Sequence, residues 1–158
     1  MASTGGERVT AHPGPVAAVL PAAIREAIVA QARAEYPNEA CGVIIGDSPP
    51  GDGGVALRYV ATRNIKASPF RYEIDPLELL HLDIEAEKDD QVFWGIVHSH
   101  THSPAVPSPT DIGLATIYVE PLYLLVSLDP GEADPVSGAP SLRAWRILDG
   151  RIHEVELR

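Results

Sequence analysis

The chain has 158 residues, of which 45% are hydrophobic, and this size suits one domain with a substantial core. Its 12 basic and 22 acidic residues give a formal net charge of −10, which disfavours a nucleic-acid backbone or an anionic membrane as the main partner. The single cysteine excludes an intrachain disulfide and is typical of the reducing cytoplasm, and no apolar run approaches the length of a membrane span.

The first half of the chain predicts a tail, one helix and three strands. Residues 1–15 are polar and interrupted by glycine and proline, so we expect a flexible tail ahead of one domain over residues 16–158. Residues 21–35 carry apolar side chains at helical spacing, and Pro37 ends this predicted helix. The predicted strands then cover residues 41–45, 55–62 and 70–74.

The second half predicts two further helices and four strands. Helices over residues 76–89 and 109–119 flank a strand at 91–97, which is aromatic and β-branched as a buried central strand should be. The closing strands cover residues 122–128, 142–148 and 152–157, with a hairpin turn at Asp149-Gly150. This order predicts an α/β (α+β) fold with a mixed, partly antiparallel sheet flanked by helices.

Two short motifs lie close together after the predicted central strand. His98 and His100 are two positions apart on an extended segment, so their side chains point to the same side. After seven intervening residues, Ser108 can cap a helix whose first residue is proline and whose third is Asp111. The negative carboxylate is favoured at a helix N-terminus, so we expect the aspartate to be held firmly.

These residues predict a metal-dependent hydrolase. His98, His100 and Asp111 form a nitrogen and oxygen ligand set that suits zinc better than manganese or iron, and three ligands leave a place for water. Zinc lowers the pKa of its bound water from 15.7 to about 7, which makes a nucleophile available. Glu39 is the candidate general base, and the Ser108 hydroxyl could stabilise the oxyanion that forms. The reaction class implied is amide hydrolysis.

The combined pattern resembles the JAMM or MPN-plus metallopeptidase family. That family's pattern is a glutamate, then His-Ser/Thr-His, seven residues, a serine, two residues and an aspartate. The chain matches it without a gap at Glu39, His98, Ser99, His100, Ser108 and Asp111.

The resemblance runs from about residue 16 to the end and implies a role for each matched residue. His98, His100 and Asp111 would be zinc ligands, Glu39 the acid/base and Ser108 the oxyanion helper. It also implies the single-domain JAB/MPN fold, which has a cytidine-deaminase-like architecture.

Within the family the chain is similar to the compact bacterial Mec-type branch, on residues 38–43 and on the segments 62–64 and 68–76. That branch includes a peptidase that releases cysteine from the C-terminus of a ubiquitin-like sulfur-carrier protein. The resemblance therefore implies a carrier with a C-terminal Gly-Gly tail as partner, bound as an added strand. The short stretch after Asp111 lacks the insertions of polyubiquitin-chain enzymes.

Two alternative functions stay open from the sequence. One is an isopeptidase that removes a ubiquitin-like modifier from lysine, and the other is a non-catalytic scaffold or metal-binding module. Two further residues near the motifs, Cys41 and His102, have side chains that could take part in catalysis. We interpret Cys41 as a small buried hydrophobic residue, and we expect His102 either to line the cleft or to face solvent. The loop 101–107 is predicted to form one wall of that cleft.

Overall fold

The structure, a computed structural model, describes residues 15–158, and its centre is a seven-stranded mixed sheet. The predicted tail over residues 1–15 lies outside the described residues except for its last position. The strands are β1 (Ala17–Ala18), β2 (Cys41–Gly46), β3 (Ala56–Thr62), β4 (Val92–His100), β5 (Leu122–Ser127), β6 (Ser141–Leu148) and β7 (Arg151–Leu157). The helices are α1 (Ala22–Glu35), α2 (Pro76–Lys88) and α3 (Pro109–Leu114), with short 3-10 turns at Pro50–Asp52 and Pro130–Glu132.

The order of strands across the sheet is β1-β7-β6-β5-β4-β2-β3. Strand β4 runs parallel to β5 and antiparallel to β2, and β1 runs parallel to β7. The remaining neighbours are antiparallel. This arrangement confirms the predicted mixed sheet flanked by helices, with β4 in its interior.

Helix α1 covers one face of the sheet. Its buried stripe of Ile24, Ile28 and Ala32 packs against Ile44 of β2 and Leu124 of β5. Burying each of the larger side chains contributes about 1.5–3 kcal/mol to the free energy of folding, so this face is a stabilising hydrophobic core. None of the predicted catalytic side chains lies on it.

The opposite face is covered by α2, α3 and the loop 101–107, and it is the face that carries the predicted site. Side chains alternate along β4, so Val97 belongs to the α1 core whereas Ile96 packs beside Leu125 on the opposite face. The same alternation places His98 and His100 on the face of Ile96. None of the helices in residues 15–158 is long and apolar enough to span a membrane.

The predicted strand at residues 70–74 is wrong. The segment makes one isolated bridge, between Ile74 and Asn64, and is otherwise irregular. Tyr72 and Ile74 are buried in the core under α2, which explains their strand-like alternation. The backbone of the segment bonds instead to the Asn64 side chain, whose amide nitrogen donates to Arg71 O and whose oxygen accepts from Glu73 N.

The third helix is shorter than predicted, because it ends at Leu114 and not at residue 119. Beyond it the chain turns back onto the sheet. The Tyr118 carbonyl accepts a hydrogen bond of 2.6 Å from the Tyr123 hydroxyl, and the Tyr118 ring packs 5.4 Å from that of Phe93. Strand β1 was not predicted, since two residues carry too little pattern to be recognised.

Gly42 allows a close approach between β2 and β3. A Cβ atom there would lie 2.6 Å from Val60 O and would also meet the ring of Tyr59. We expect Gly42→Ala to lower the free energy of unfolding by about 1–3 kcal/mol, because the neighbouring backbone must move. Urea unfolding measures this change. Gly51→Ala is the control, since a Cβ at Gly51 meets nothing within 4 Å, and equal losses in both variants would contradict the packing argument.

Candidate metal centre

The end of β4 and the start of α3 bring three ligand atoms together. His98 Nε2 lies 3.2 Å from His100 Nε2. Asp111 Oδ2 lies 3.2 Å from the first nitrogen and 3.1 Å from the second. All three side chains are buried. Among residues 15–158 this is the one cluster of three or more such side chains that could hold a metal ion.

A capping box fixes the position of Asp111. Ser108 is the N-cap of α3, and its hydroxyl oxygen accepts a hydrogen bond of 3.1 Å from Asp111 N. In return, Asp111 Oδ2 accepts a hydrogen bond of 2.8 Å from Ser108 N. The predicted cap is therefore confirmed, and it leaves the carboxylate aimed at the two histidine rings.

The two histidine rings have different neighbours, a backbone carbonyl at His100 and an aromatic ring at His98. His100 Nδ1 lies 2.7 Å from Pro104 O, and since a carbonyl only accepts, this nitrogen carries a proton and Nε2 faces the cluster. The His98 ring stacks on Tyr72, with ring centres 4.2 Å apart and planes at 17°. The spacing of the motif residues did not identify Tyr72 as a neighbour of the metal ligands. The one signal in the sequence was that Tyr72 lies in the segment that resembles the Mec-type branch.

The loop 101–107 lies over the His100 ring. Besides the Pro104 carbonyl, the loop is fixed by Ala105 O, which accepts a hydrogen bond of 2.9 Å from Trp145 Nε1. Ser127 Oγ also donates to Ser103 O at 2.6 Å. These contacts hold the loop as one wall of the site.

The protonation states of the cluster favour a cation. Burial lowers the pKa of His98. At His100, burial acts in the same direction, but the hydrogen bonds to Asp111 and to the Pro104 carbonyl, together with the negative charges of Asp111 and Glu39, outweigh it and the pKa is raised. Burial raises the pKa of Asp111, but hydrogen bonds from His100 and His98 outweigh it and hold the pKa below its usual value. Positive charge is therefore favoured between the three groups, and a metal ion can supply it in place of a proton.

The ligand spacing fits a small tetrahedral ion. Two atoms bound at about 2.0–2.1 Å with tetrahedral angles lie about 3.3 Å apart. The three observed spacings, 3.1–3.2 Å, are close to this value. The buried His-His-Asp cluster is thus compatible with a metal site that keeps an open position.

Glu39 lies just before β2 and is held by its backbone. Its amide nitrogen donates to Ser68 O at 2.8 Å, and its carbonyl accepts from Asn64 Nδ2 at 3.0 Å. The next residue, Ala40, donates through its amide to Ser99 Oγ at 2.7 Å, which ties this segment to the strand of the two histidines. Sequence reasoning missed Asn64 and Ser99 as holders of this segment, because neither contact is local.

The Glu39 carboxylate is buried, and its Oε2 has no hydrogen-bond partner among the described residues. Burial raises its pKa to about 7, while the charge of His100 lowers it and that of Asp111 raises it. These interactions mean that Glu39 lies within electrostatic reach of the cluster. A carboxyl group with a pKa near 7 can both accept and release a proton at neutral pH.

Cys41 and His102 lie outside the cluster of ligand atoms. Cys41 is fully buried, and burial raises the pKa of its thiol to about 11, so the thiol stays protonated. His102 faces solvent, where its Nε2 lies 3.4 Å from the Tyr36 hydroxyl.

The mixed sheet and its buried cluster define a compact α/β protein whose site suits metal-dependent hydrolysis. The family model for prokaryotic homologs of the JAB domain matches residues 21–148, and the chain belongs to this family. This confirms the family that the motif predicts.

Relatives and solved structures agree with this assignment. The chain is 39% identical over 139 residues to the CysO-cysteine peptidase of Mycobacterium tuberculosis, covering 86% of each protein. It is 37% identical over 117 residues to the desampylase of Haloferax volcanii, covering 70% of this chain and 80% of that protein. A solution structure of a Desulfitobacterium hafniense protein matches with a TM-score of 0.72 and 31% identity, over 89% of this chain and 90% of that one.

The buried Glu39 carboxylate should affect stability in a pH-dependent way. The pKa of this carboxyl is about 7 in the folded protein and 4.5 ordinarily, so the folded metal-free protein binds an extra proton between these pH values. This contribution is present at low pH and is lost as pH rises through about 7. Glutamine has no such titration, so Glu39→Gln should gain stability relative to wild type between about pH 5 and about pH 8.

Urea unfolding of the metal-free proteins at both pH values measures this difference. Glu87→Gln, which makes the same substitution at an exposed position of α2, is the control. If Glu39→Gln differs from wild type equally at both pH values, the carboxylate does not carry the expected burial cost.

Proposed function

We propose that the protein is a zinc-dependent peptidase that hydrolyses the amide bond after the C-terminal Gly-Gly of a ubiquitin-like sulfur-carrier protein, releasing cysteine or another amine. The observation that carries this proposal is the His-His-Asp cluster with a buried, unpartnered glutamate in electrostatic reach. The names of two relatives, a CysO-cysteine peptidase and a desampylase, support a small ubiquitin-like protein as the substrate. The single cysteine and the charge of −10 favour a cytoplasmic protein whose partner is not a nucleic acid or a membrane.

The proposed ligands are His98, His100 and Asp111. Zinc suits their mixed nitrogen and oxygen donors, and when bound it would act as a Lewis acid that polarises the scissile carbonyl and makes water more acidic. The protein's own contribution is to keep the ligand atoms converged. The Pro104 carbonyl fixes the tautomer of one ring, the Tyr72 ring supports the other, and the capping box holds the carboxylate.

Glu39 is the proposed general base and acid. Its carboxylate takes a proton from the attacking water as the oxygen–carbon bond forms, and it delivers that proton to the nitrogen as the carbon–nitrogen bond breaks. The products are a carrier with a free Gly-Gly carboxylate and the released amine. A pKa of about 7 suits both transfers, because neither protonation state is strongly favoured at neutral pH.

Ser108 is the proposed oxyanion helper. Its oxygen accepts a hydrogen bond from Asp111 N, which leaves its own O–H available to donate. Negative charge that develops on the carbonyl oxygen during attack could be stabilised by this donor.

An isopeptidase that releases a modifier from lysine is the second candidate function. The similarity to the Haloferax volcanii desampylase favours it. Both reactions use the same ligands and the same base, so they differ in the group that follows the Gly-Gly tail.

Intact mass spectrometry separates the two reactions and tests Glu39 directly. The zinc-loaded protein is incubated with a carrier that ends in Gly-Gly-Cys, and separately with a carrier conjugated to lysine. Loss of one cysteine supports the first reaction, and release from lysine supports the second. If metal-loaded protein leaves both substrates intact, the protein is a non-catalytic scaffold and the proposal is wrong.

Glu39→Gln should retain the metal and abolish turnover, because it keeps the shape of the side chain and removes the proton acceptor. Metal content is measured by elemental analysis of the same sample. Glu87→Gln on the exposed face of α2 is the matched control and should keep wild-type activity. Full turnover by Glu39→Gln would remove Glu39 as the base.

Ser108→Ala should lower kcat by about 10²–10³-fold, as expected for loss of an oxyanion donor. It should also lower the free energy of unfolding by about 1 kcal/mol, because the N-cap of α3 is lost. Ser108→Thr keeps a hydroxyl for both roles and should retain most activity. Steady-state kinetics and urea unfolding distinguish the two effects. An unchanged kcat in Ser108→Ala would show that the hydroxyl only caps the helix.

A further inference from the structure

Asn64, which follows β3, has a buried side chain that makes four hydrogen bonds. Its Nδ2 donates to Glu39 O at 3.0 Å and to Arg71 O at 2.9 Å. Its Oδ1 accepts from Lys66 N and from Glu73 N, each at 3.1 Å. An amide side chain offers two N–H donors and two oxygen lone pairs, and all of them are used here. Because the two carbonyls can only accept, the nitrogen end of the amide must face Glu39.

Three of these bonds stay within the loop that Asn64 begins, here called loop 64–74. This loop is closed by the isolated bridge between Asn64 and Ile74. A buried asparagine that only shaped the loop would need no bond outside it. The fourth bond, to Glu39 O, joins residues that are 25 positions apart. The Asn64 side chain therefore links loop 64–74 to a different segment of the chain, the one that carries the proposed general base.

Both backbone polar groups of Glu39 are bound by loop 64–74. The Glu39 N–H donates to Ser68 O at 2.8 Å, and the Glu39 carbonyl accepts from the Asn64 amide. Strand β2 begins only at Cys41, so these two bonds come from the loop and not from a strand. The carboxylate is buried, and its Oε2 has no hydrogen-bond partner in the part of the chain that the structure describes. The observed restraint on Glu39 therefore acts through its backbone.

The same loop also contacts the strand that carries the two histidines. Tyr72 stacks on the His98 ring, with ring centres 4.2 Å apart. Pro69 O accepts a hydrogen bond of 3.0 Å from Thr101 Oγ1, which lies directly after the end of β4. Loop 64–74 thus contacts both the proposed base and the strand that bears two of the proposed ligands. A change in the loop would alter the position of the base relative to the ligands.

We propose that Asn64 is a positioning residue of the active site, which keeps Glu39 in place relative to the metal ligands by bonding the Glu39 carbonyl to loop 64–74. This inference deepens the proposed function and rests on it. Asn64 acts through Glu39 and not on the substrate. Proton transfer requires the carboxylate within about 2.6–3.2 Å of the water or the amine, so a displacement of about 1 Å can lower the rate about 10²-fold.

Asn64→Asp removes the two N–H donors and keeps the shape of the side chain. The new carboxylate can still accept from Lys66 N and Glu73 N, but it repels the carbonyl oxygens of Glu39 and Arg71. In the zinc-loaded protein, kcat for the carrier that wild type cleaves should fall about 10²-fold. KM should stay near the wild-type value, because Asn64 does not contact the substrate, and the metal should be retained. Steady-state kinetics and elemental analysis measure these changes.

Tyr59→Phe is the matched control, because it also removes a side-chain hydrogen bond but does so on the α1 face. There the Tyr59 hydroxyl donates to Gln31 Oε1, away from the metal centre. Urea unfolding compares the stability of the two variants, and Tyr59→Phe should keep the wild-type kcat. Equal losses of kcat in both variants would show that Asn64 only stabilises the fold, and would overturn the proposal. Loss of the metal in Asn64→Asp would also overturn it, because the residue would then position the ligands and not the base.

Carbon-13 nuclear magnetic resonance of labelled glutamate carboxyls gives a second readout, in metal-free protein and without turnover. The Glu39 signal is identified as the one that is absent from Glu39→Gln. Burial raises the pKa of this carboxyl to about 7. Asn64→Ala adds no charge and should let the Glu39 side chain reach solvent, so its pKa should fall toward the ordinary value of 4.5. In Tyr59→Phe the pKa should stay near 7. An unchanged pKa in Asn64→Ala would overturn the proposal.

These measurements distinguish failure of this inference from failure of the proposed function. If the pKa of Glu39 falls in Asn64→Ala but wild type cleaves no carrier, the proposed function is wrong and the positioning role of Asn64 stands. If wild type and Asn64→Asp cleave a carrier with equal kcat, the positioning role is wrong and the proposed function stands. Should Asn64→Ala fail to fold, the kinetics and metal content of Asn64→Asp decide.

Discussion

The convergence of His98 Nε2, His100 Nε2 and Asp111 Oδ2 on one buried point is the interaction on which the site depends. Polar groups buried this closely are costly unless they are paired, so something positive must lie between them. The metal-free state can supply a proton, and a metal ion can replace it. The capping box of α3 and the loop 101–107 keep the three side chains in place although burying their polar groups is unfavourable.

One face of the sheet forms the hydrophobic core under α1, and the opposite face carries the candidate metal centre. The α1 face is a continuous apolar core, whereas the opposite face exchanges apolar side chains for His98 and His100 at the end of β4. Glu39 joins this second face through β2, the antiparallel neighbour of β4. A cavity lined by Ile96 of β4 and Tyr123 of β5 also lies on this face.

Local pattern predicted the parts of the site that lie close together in the chain. The alternation at His98 and His100 and the cap at Ser108 depend on neighbouring residues only, and the structure contains both. The segment of Glu39 is held by contacts such as Ala40 N to Ser99 Oγ, which join residues 59 positions apart. No spacing rule reports such a contact, so the sequence offered Glu39 as an available general base without showing what holds it beside the two histidines. The false strand at residues 70–74 has the same origin, because its backbone bonds to the Asn64 side chain and to Ile65 N and not to another strand.

Anomalous X-ray diffraction at the zinc absorption edge, on crystals grown from zinc-loaded protein, tests the central claim most directly. The account predicts one strong anomalous peak, within bonding distance of His98 Nε2, His100 Nε2 and an Asp111 carboxylate oxygen. It also predicts that the Glu39 carboxylate faces the open side of that peak. A zinc peak elsewhere on the chain, or a Glu39 side chain turned away from the ion, would contradict the account.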